Sequence, residues 1–139
     1  MNAFKFTNSA GQSAYARYQI LPVAGEQRLP EAELKKVSTN YLMDELPTRI
    51  AKQAVSFRLM AQVAETGDPI NDGSIVWPAS RGLVELGTIR LTATSTNQVA
   101  EQKTLLFNPL SLTAGITPSD DPVLLIRPAA YGVSYAQRF

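Results

Sequence analysis

The chain has 139 residues, 45% of them apolar and 18% charged, a balance that suits one globular domain over residues 1–139. Its net charge is +1 with Lys and Arg scattered along the chain, so the basic stripe of a nucleic-acid binder is missing, and no apolar run approaches the roughly 20 residues of a membrane span. With neither Cys nor His, disulfides, thiolate nucleophiles, Ser-His or Cys-His pairs and histidine metal ligands are excluded, which leaves carboxylates, Lys, Arg, Tyr and hydroxyls for chemistry.

Ala3 to Asn8 alternates apolar and polar side chains and runs into Ser9-Ala10-Gly11-Gln12, a turn-like cluster that predicts a hairpin. The second arm, Ser13 to Pro22, sets Ala14, Ala16, Tyr18 and Ile20 on one face of a half-buried strand, and Pro22 and Gly25 end it. From Leu29 the pattern turns helical: Pro30 suits a first turn, Glu31 and Glu33 favour the positive end of the dipole, and Leu34 and Val37 begin an apolar stripe. Asn40 stands where an N-cap is needed for a second helix with Leu42, Met43, Leu46 and Ile50 toward one side, interrupted by Pro47. Both helices are expected to cover a sheet.

Ala54 to Ala64 is the clearest strand, with Val55, Phe57, Leu59, Ala61 and Val63 at period two. Gly67 to Gly73 reads as a loop whose return to the core is anchored by Trp77-Pro78. Val84 to Ser95 alternates again, with Gly87 predicting a bulge or a close approach. Gln98 to Leu106 is helix-friendly, and Pro109, Gly115 and Pro118 mark an extended, turning segment. Ser119 is the expected cap of a last helix from Val123 to about Arg138, with Asp120 and Asp121 in its first turn and a kink at Pro128. No repeat, linker or low-complexity tract is present, and the fold class is α+β with about four antiparallel strands.

On the last helix Val123, Arg127, Tyr131, Tyr135 and Arg138 follow spacings of four, four, four and three, so all project from one face. Spacing alone leaves two readings open, a surface face with snorkelling side chains or a binding face. Arg four residues before Tyr has a chemical use, because tyrosine releases its proton only near pH ~10 and an anionic metal ligand at neutral pH needs a cation beside it. A guanidinium about 4 Å away, at an effective dielectric of about 20, contributes roughly 4 kcal/mol, or about three orders of magnitude in acidity. Asp68 with Asp72, and Asp120 with Asp121, lack the ligand count of calcium or magnesium sites and read as turn and cap residues.

The runs Phe107-Asn108-Pro109, Gly115-Ile116-Thr117-Pro118-Ser119-Asp120-Asp121 and Arg127-Pro128-Ala129-Ala130-Tyr131 resemble the proximal heme segment of catalases, whose signature is Arg-x-x-x-Tyr after Gly-Ile-x-Pro-Ser. Phe4 to Asn8 with Gly11, Val55 to Gln62, and Trp77-Pro78 with Val84 to Gly87 are similar to strands and loops of the same core, in the same order. The ending Tyr131 to Arg138 is closest in character to the small catalase-related peroxidases. The resemblance implies a partial catalase-type antiparallel β-barrel with a C-terminal proximal helix, heme as cofactor, and reduction or decomposition of hydrogen peroxide with an organic electron donor. It makes Tyr131 the proximal iron ligand and Arg127 its charge partner. Arg138 would meet a heme propionate, Phe107 and Val123 would pack near the porphyrin, and Tyr135 stands beside the cofactor where many large catalases have histidine.

The departures from that pattern are equally informative. The family's distal His, distal Asn and further propionate-binding Arg residues lie upstream of the strand resembling Phe4 to Asn8, and eight strands close the family's barrel. Met1 therefore reads as the start of a truncated or split form, weak or inactive alone, whose open edges call for an upstream half or a second copy. The alternatives are a non-catalytic heme binder and a structural remnant that needs a partner chain. The chain carries no leader pattern and reads as cytoplasmic as given, with the periplasm open to it if a missing N-terminal half carried a signal.

Overall fold

The computed structural model describes residues 1–139, the whole sequence. Its elements in order are β1 (Phe4–Thr7), β2 (Ser13–Pro22), α1 (Glu31–Leu34), α2 (Tyr41–Lys52), β3 (Val55–Val63), β4 (Leu83–Leu91), α3 (Gln98–Thr104), β5 (Ile116–Pro118) and α4 (Pro122–Ala136). The first turn forms for the reason its residues suggest: the Asn8 carboxamide oxygen accepts the N–H of Ala10 and of Gln12, both at 3.0 Å, and Gly11 takes a φ of 78°.

The strands make one antiparallel sheet in the order β4-β3-β2-β1-β5, open at both edges. The fifth strand corrects the count of about four. Ile116–Pro118 pairs with β1, Phe6 opposite Ile116 and Phe4 opposite Pro118, in the segment expected only to extend and turn. Gly115 makes that return possible. Its φ is 86°, its carbonyl accepts the Thr7 N–H at 2.7 Å, and a Cβ there would lie 2.9 Å from the Thr7 carbonyl oxygen. The bulge expected at Gly87 is present: Leu59 faces Gly87 and Met60 faces Glu85, so Leu86 is the extra residue.

Register places Tyr18 opposite Ala61 and Ala61 opposite Val84, so the alternating apolar residues do share one face. At its β1–β2 end that face is packed, with Phe4 and Phe6 rings 5.6 and 5.5 Å from Tyr18 and with Ala16 and Ala61 buried. Away from that end it is bare: Ile20 on the central strand β2 and Val84 on the edge strand β4 remain 57% and 52% exposed. The other face carries Arg17, Met60 and Gln62, all buried, and the 67–78 loop bonds to Arg17 and Gln62. As expected, Trp77-Pro78 anchors that loop: the indole N–H donates to the Pro69 carbonyl at 3.0 Å, and the Pro78 carbonyl accepts from Gln62 at 3.1 Å.

The helices contribute little interior. α1, α2 and α3 bury no residue and α4 buries only Leu124. α2 meets the sheet where β2 ends and β3 begins, around a cavity of about 480 Å³ between Leu46, Arg49, Val23 and Phe57. The accessible area is 10,247 Å². A compact monomer of 15.1 kDa exposes about 7,100 Å², so roughly 3,000 Å² of surface that a closed fold would cover lies open. No helix is long and apolar enough to cross a membrane.

Candidate functional site

The helix that carries the Arg–Tyr pair starts at Asp121, not at Ser119. The Asp121 carboxylate accepts the N–H of Val123 at 2.9 Å and of Leu124 at 3.3 Å, and Pro122 occupies the first turn, where a missing N–H leaves no intrahelical bond unmade. Ser119 is buried one step earlier, its N–H donating to the Ala3 carbonyl at 3.2 Å as the chain leaves β5. The expected cap fell two residues short because β5 continues through Pro118 and holds Ser119 in the sheet's extension.

Asp121 is 1% exposed. Burial, the largest single influence on its carboxyl, opposes ionisation, but the Asn2 amide and the N–H groups of Leu124, Val123 and Gly73 together outweigh it and hold the carboxyl below the usual carboxylate range. A depressed folded-state pKa adds stability above the unfolded value of about 3.9, and this is lost as pH falls through the folded value. Asp121→Ala is therefore expected to lower the unfolding free energy by about 2–3 kcal/mol at pH 7, the sum of a lost cap and a lost buried partner. In urea melts the gap to the parent chain should narrow on going from pH 7 to pH 3; an equal gap at both would contradict this account.

One turn into α4, Arg127 reaches the phenol of Tyr131, as the spacing implied. Its Nε–H and an Nη2–H both donate to the Tyr131 oxygen, at 2.9 and 2.5 Å, with the guanidinium carbon 5.3 Å from the ring centroid. Two charge-assisted hydrogen bonds on one phenolic oxygen form an arrangement suited to an anionic oxygen. The remaining Nη1 donates to the Asn2 side-chain oxygen at 3.0 Å, and the Asn2 amide donates to Asp121 at 2.7 Å.

Tyr131, Phe107 and Arg138 come together. With Leu106 and Ser134 they line a cleft of about 320 Å³, at the low end of the size that ordinarily holds a small organic ligand. All its walls come from residues 106–107 and from α4 with the residue positions just after it, so it presents one face to a ligand and does not enclose one. Phe107 is 71% exposed over this cleft. Arg138 donates from Nη1 to the carbonyls of Gln102 and Leu105, at 2.8 and 2.6 Å, which leaves its Nε and Nη2 donors toward solvent.

The other two residues of the row lie apart from the cleft. Val123, 63% exposed, borders a separate cavity of about 380 Å³ with Asn2, Asp72 and Asp121. Tyr135 packs edge-on against Phe139 at 5.4 Å and under the Arg138 guanidinium at 5.8 Å. Sequence reasoning missed Asn2, which belongs to no periodic element and reaches α4 only because β1 and β5 pair. No group of three or more Asp and Glu side chains is placed to hold a metal ion.

Residues 1–139 match the catalase family. The chain is 36% identical over 138 residues to a catalase-related peroxidase of Synechococcus elongatus, covering 99% of this chain and 41% of that protein. It is 31% identical over 138 residues to a catalase-related peroxidase of Mycolicibacterium paratuberculosis, covering 99% and 44%. It thus spans about two-fifths of the length of these relatives. Among solved structures, catalase A of Saccharomyces cerevisiae superposes on 99% of the chain, and on 30% of its own, with a TM-score of 0.87 at 23% identity, which establishes the fold. With a family match over its whole length and this backbone likeness, the chain belongs to the catalase family.

Proposed function

We propose that the chain is the proximal part of a heme-dependent catalase-related peroxidase and that Tyr131 binds the heme iron. The observation that carries this reading is the pair of Arg127 N–H groups on the Tyr131 oxygen, at the edge of a cleft walled by Phe107. The donor set fits a flat, anionic iron porphyrin approached from one side. The phenol oxygen has two of its contacts supplied by a cation, Leu106 and Phe107 offer apolar surface to a ring, and the spare Arg138 donors suit a propionate. Val123 and Tyr135 share the helix row but lie outside this cleft, so the reading rests on Tyr131, Arg127, Phe107 and Arg138. Heme, when bound, supplies the redox chemistry on hydrogen peroxide. Arg127 holds the phenol oxygen in one orientation, and the α4 backbone aims it.

Titration of hemin into the chain and into Tyr131→Phe tests the reading. The parent chain should give a ligand-dependent absorption spectrum that Tyr131→Phe loses. Identical spectra from the two proteins reject Tyr131 as ligand.

The bare apolar face and the roughly 3,000 Å² of extra surface favour a second reading of the same site, in which the chain binds heme without turnover until a partner polypeptide completes the barrel. The chain contains no histidine. An imidazole that moved a proton between peroxide oxygens would have to come from residues outside these 139.

A further inference from the structure

β4 carries two exposed charged side chains with no ion partner of their own. Across the β3 ladder Glu85 faces Met60 and Arg90 faces Ser56, and neither enters any of the chain's ion pairs. The ladder fixes where they stand. Thr88 faces Arg58, Arg90 lies two ladder positions beyond Thr88, and Glu85 lies two positions before it because Leu86 is the extra residue of the bulge. Without the bulge Glu85 and Arg90 would project from opposite faces of the sheet. With it they share the face of Thr88 and are equally far from it.

We propose that β4 pairs with β4 of a second copy of this chain, antiparallel about a two-fold axis at Thr88. In that register each Thr88 faces its counterpart, and Glu85 of each copy faces Arg90 of the other. Val84 faces Leu91, and Ile89 faces Gly87, where even a Cβ would meet nothing within 4 Å. Two opposite-charge pairs thus form together, on the same face, from a single pairing. Any other two-fold register separates both, and a centre at Glu85 or at Arg90 sets like charges opposite one another. The second edge of the sheet does not compete: β5 has three residues, one of them Pro118, so pairing closes at two copies instead of growing into a fibre. The chain has the surface for it, since an interface of standard size takes about 800 Å² from each partner and this chain exceeds a compact monomer by roughly 3,000 Å². Barrel completion by another polypeptide would use the same edge, so the two occupants exclude each other. Self-pairing is independent of the reading of Tyr131 as iron ligand.

The test uses the full chain alone. Sedimentation equilibrium up to about 100 μM should show a species of twice 15.1 kDa; a monomer throughout, or species beyond two copies, overturns the proposal. Glu85→Arg or Arg90→Glu, each by itself, sets like charges opposite at both ends of the pairing and should weaken association at least about tenfold. An equal mixture of those two variants should restore it, because each offers the other the opposite charge at both positions. A mixture that associates no better than either variant overturns the register. The chain has no cysteine, so Thr88→Cys reads the axis directly and serves if the charge variants fold poorly. Facing Cα atoms lie about 4.5–5.5 Å apart, within disulfide reach, and mild oxidation should link two chains there. Arg58→Cys, exposed on β3 and roughly 14 Å from its counterpart, should not link. Linkage at neither position, or equally at both, overturns the proposal.

Discussion

Arg17→Leu is expected to lower the unfolding free energy by about 3–5 kcal/mol, much of the 5–15 kcal/mol typical of a whole domain, and to red-shift the fluorescence of Trp77. Arg17 sits in the middle of β2 and is 3% exposed. Its Nη1 donates to the Ile75 carbonyl at 2.5 Å, and Nη2 donates to the Pro69 and Asp72 carbonyls at 3.0 and 2.8 Å. The guanidinium carbon lies 4.1 Å over the Trp77 ring. One side chain therefore gathers a loop that lacks regular structure and seals it over the sheet.

Burial works against the Arg17 charge and pushes its pKa down, while the carboxylates of Asp121, Asp68 and Asp72 oppose that fall. Leucine would remove the desolvation penalty but take a donor from the Ile75 and Asp72 carbonyls, leave the Pro69 carbonyl with the Trp77 indole alone, and deprive three carboxylates of a shared cation. Arg17→Lys should recover less than half of the loss, because a single ammonium cannot reproduce a fork that reaches three carbonyls. Trp77 is the chain's one tryptophan and is 3% exposed, so its emission reports on this loop alone. Unchanged stability with unshifted emission would show that the loop closes without Arg17.

The parts of this structure that depend on neighbours in sequence were legible in the sequence, and those that depend on distant segments were not. Period-two alternation located β2, β3 and the β1–β2 hairpin, and helical spacing aligned Arg127 with Tyr131. β4 stops at Leu91 although the alternation was read as far as Ser95, because β3 offers no partner beyond Val55. β5 has three residues, one of them proline, and exists only because β1 supplies its hydrogen bonds. Arg17 lies on the polar side of an alternating strand and reads as solvent-facing; what buries it comes from 52 to 58 residues further along. The lone Trp beside a loop rich in Asp and Gly was the available signal that this side of the sheet is covered. Asn2 is separated by 125 residues from Arg127, and no local pattern announces that contact.

On the barrel-completion reading proposed above, addition of a separately produced polypeptide that supplies a histidine and further strands is expected to raise peroxide turnover by about 10²- to 10⁴-fold over the chain with heme alone, the usual worth of positioned acid–base catalysis. The edges make such a complex physically sensible. β4 presents nine residues, Leu83–Leu91, with one side unpaired, and β5 leaves its outer side free. Val84, Leu86 and Ile89 on β4 itself, and Ile20 on the central strand β2, are 52%, 45%, 36% and 57% exposed. A partner that pairs along β4 and folds over this face would cover backbone and apolar surface together, which two isolated interactions could not do as cheaply in entropy. Two measurements separate complementation from simple crowding: backbone amide exchange in β4 should slow on mixing, and turnover should fall back when Tyr131→Phe replaces the parent chain in the mixture. Slowed exchange without turnover would make the chain a structural partner, and unaltered exchange in β4 would remove the barrel-completion reading altogether.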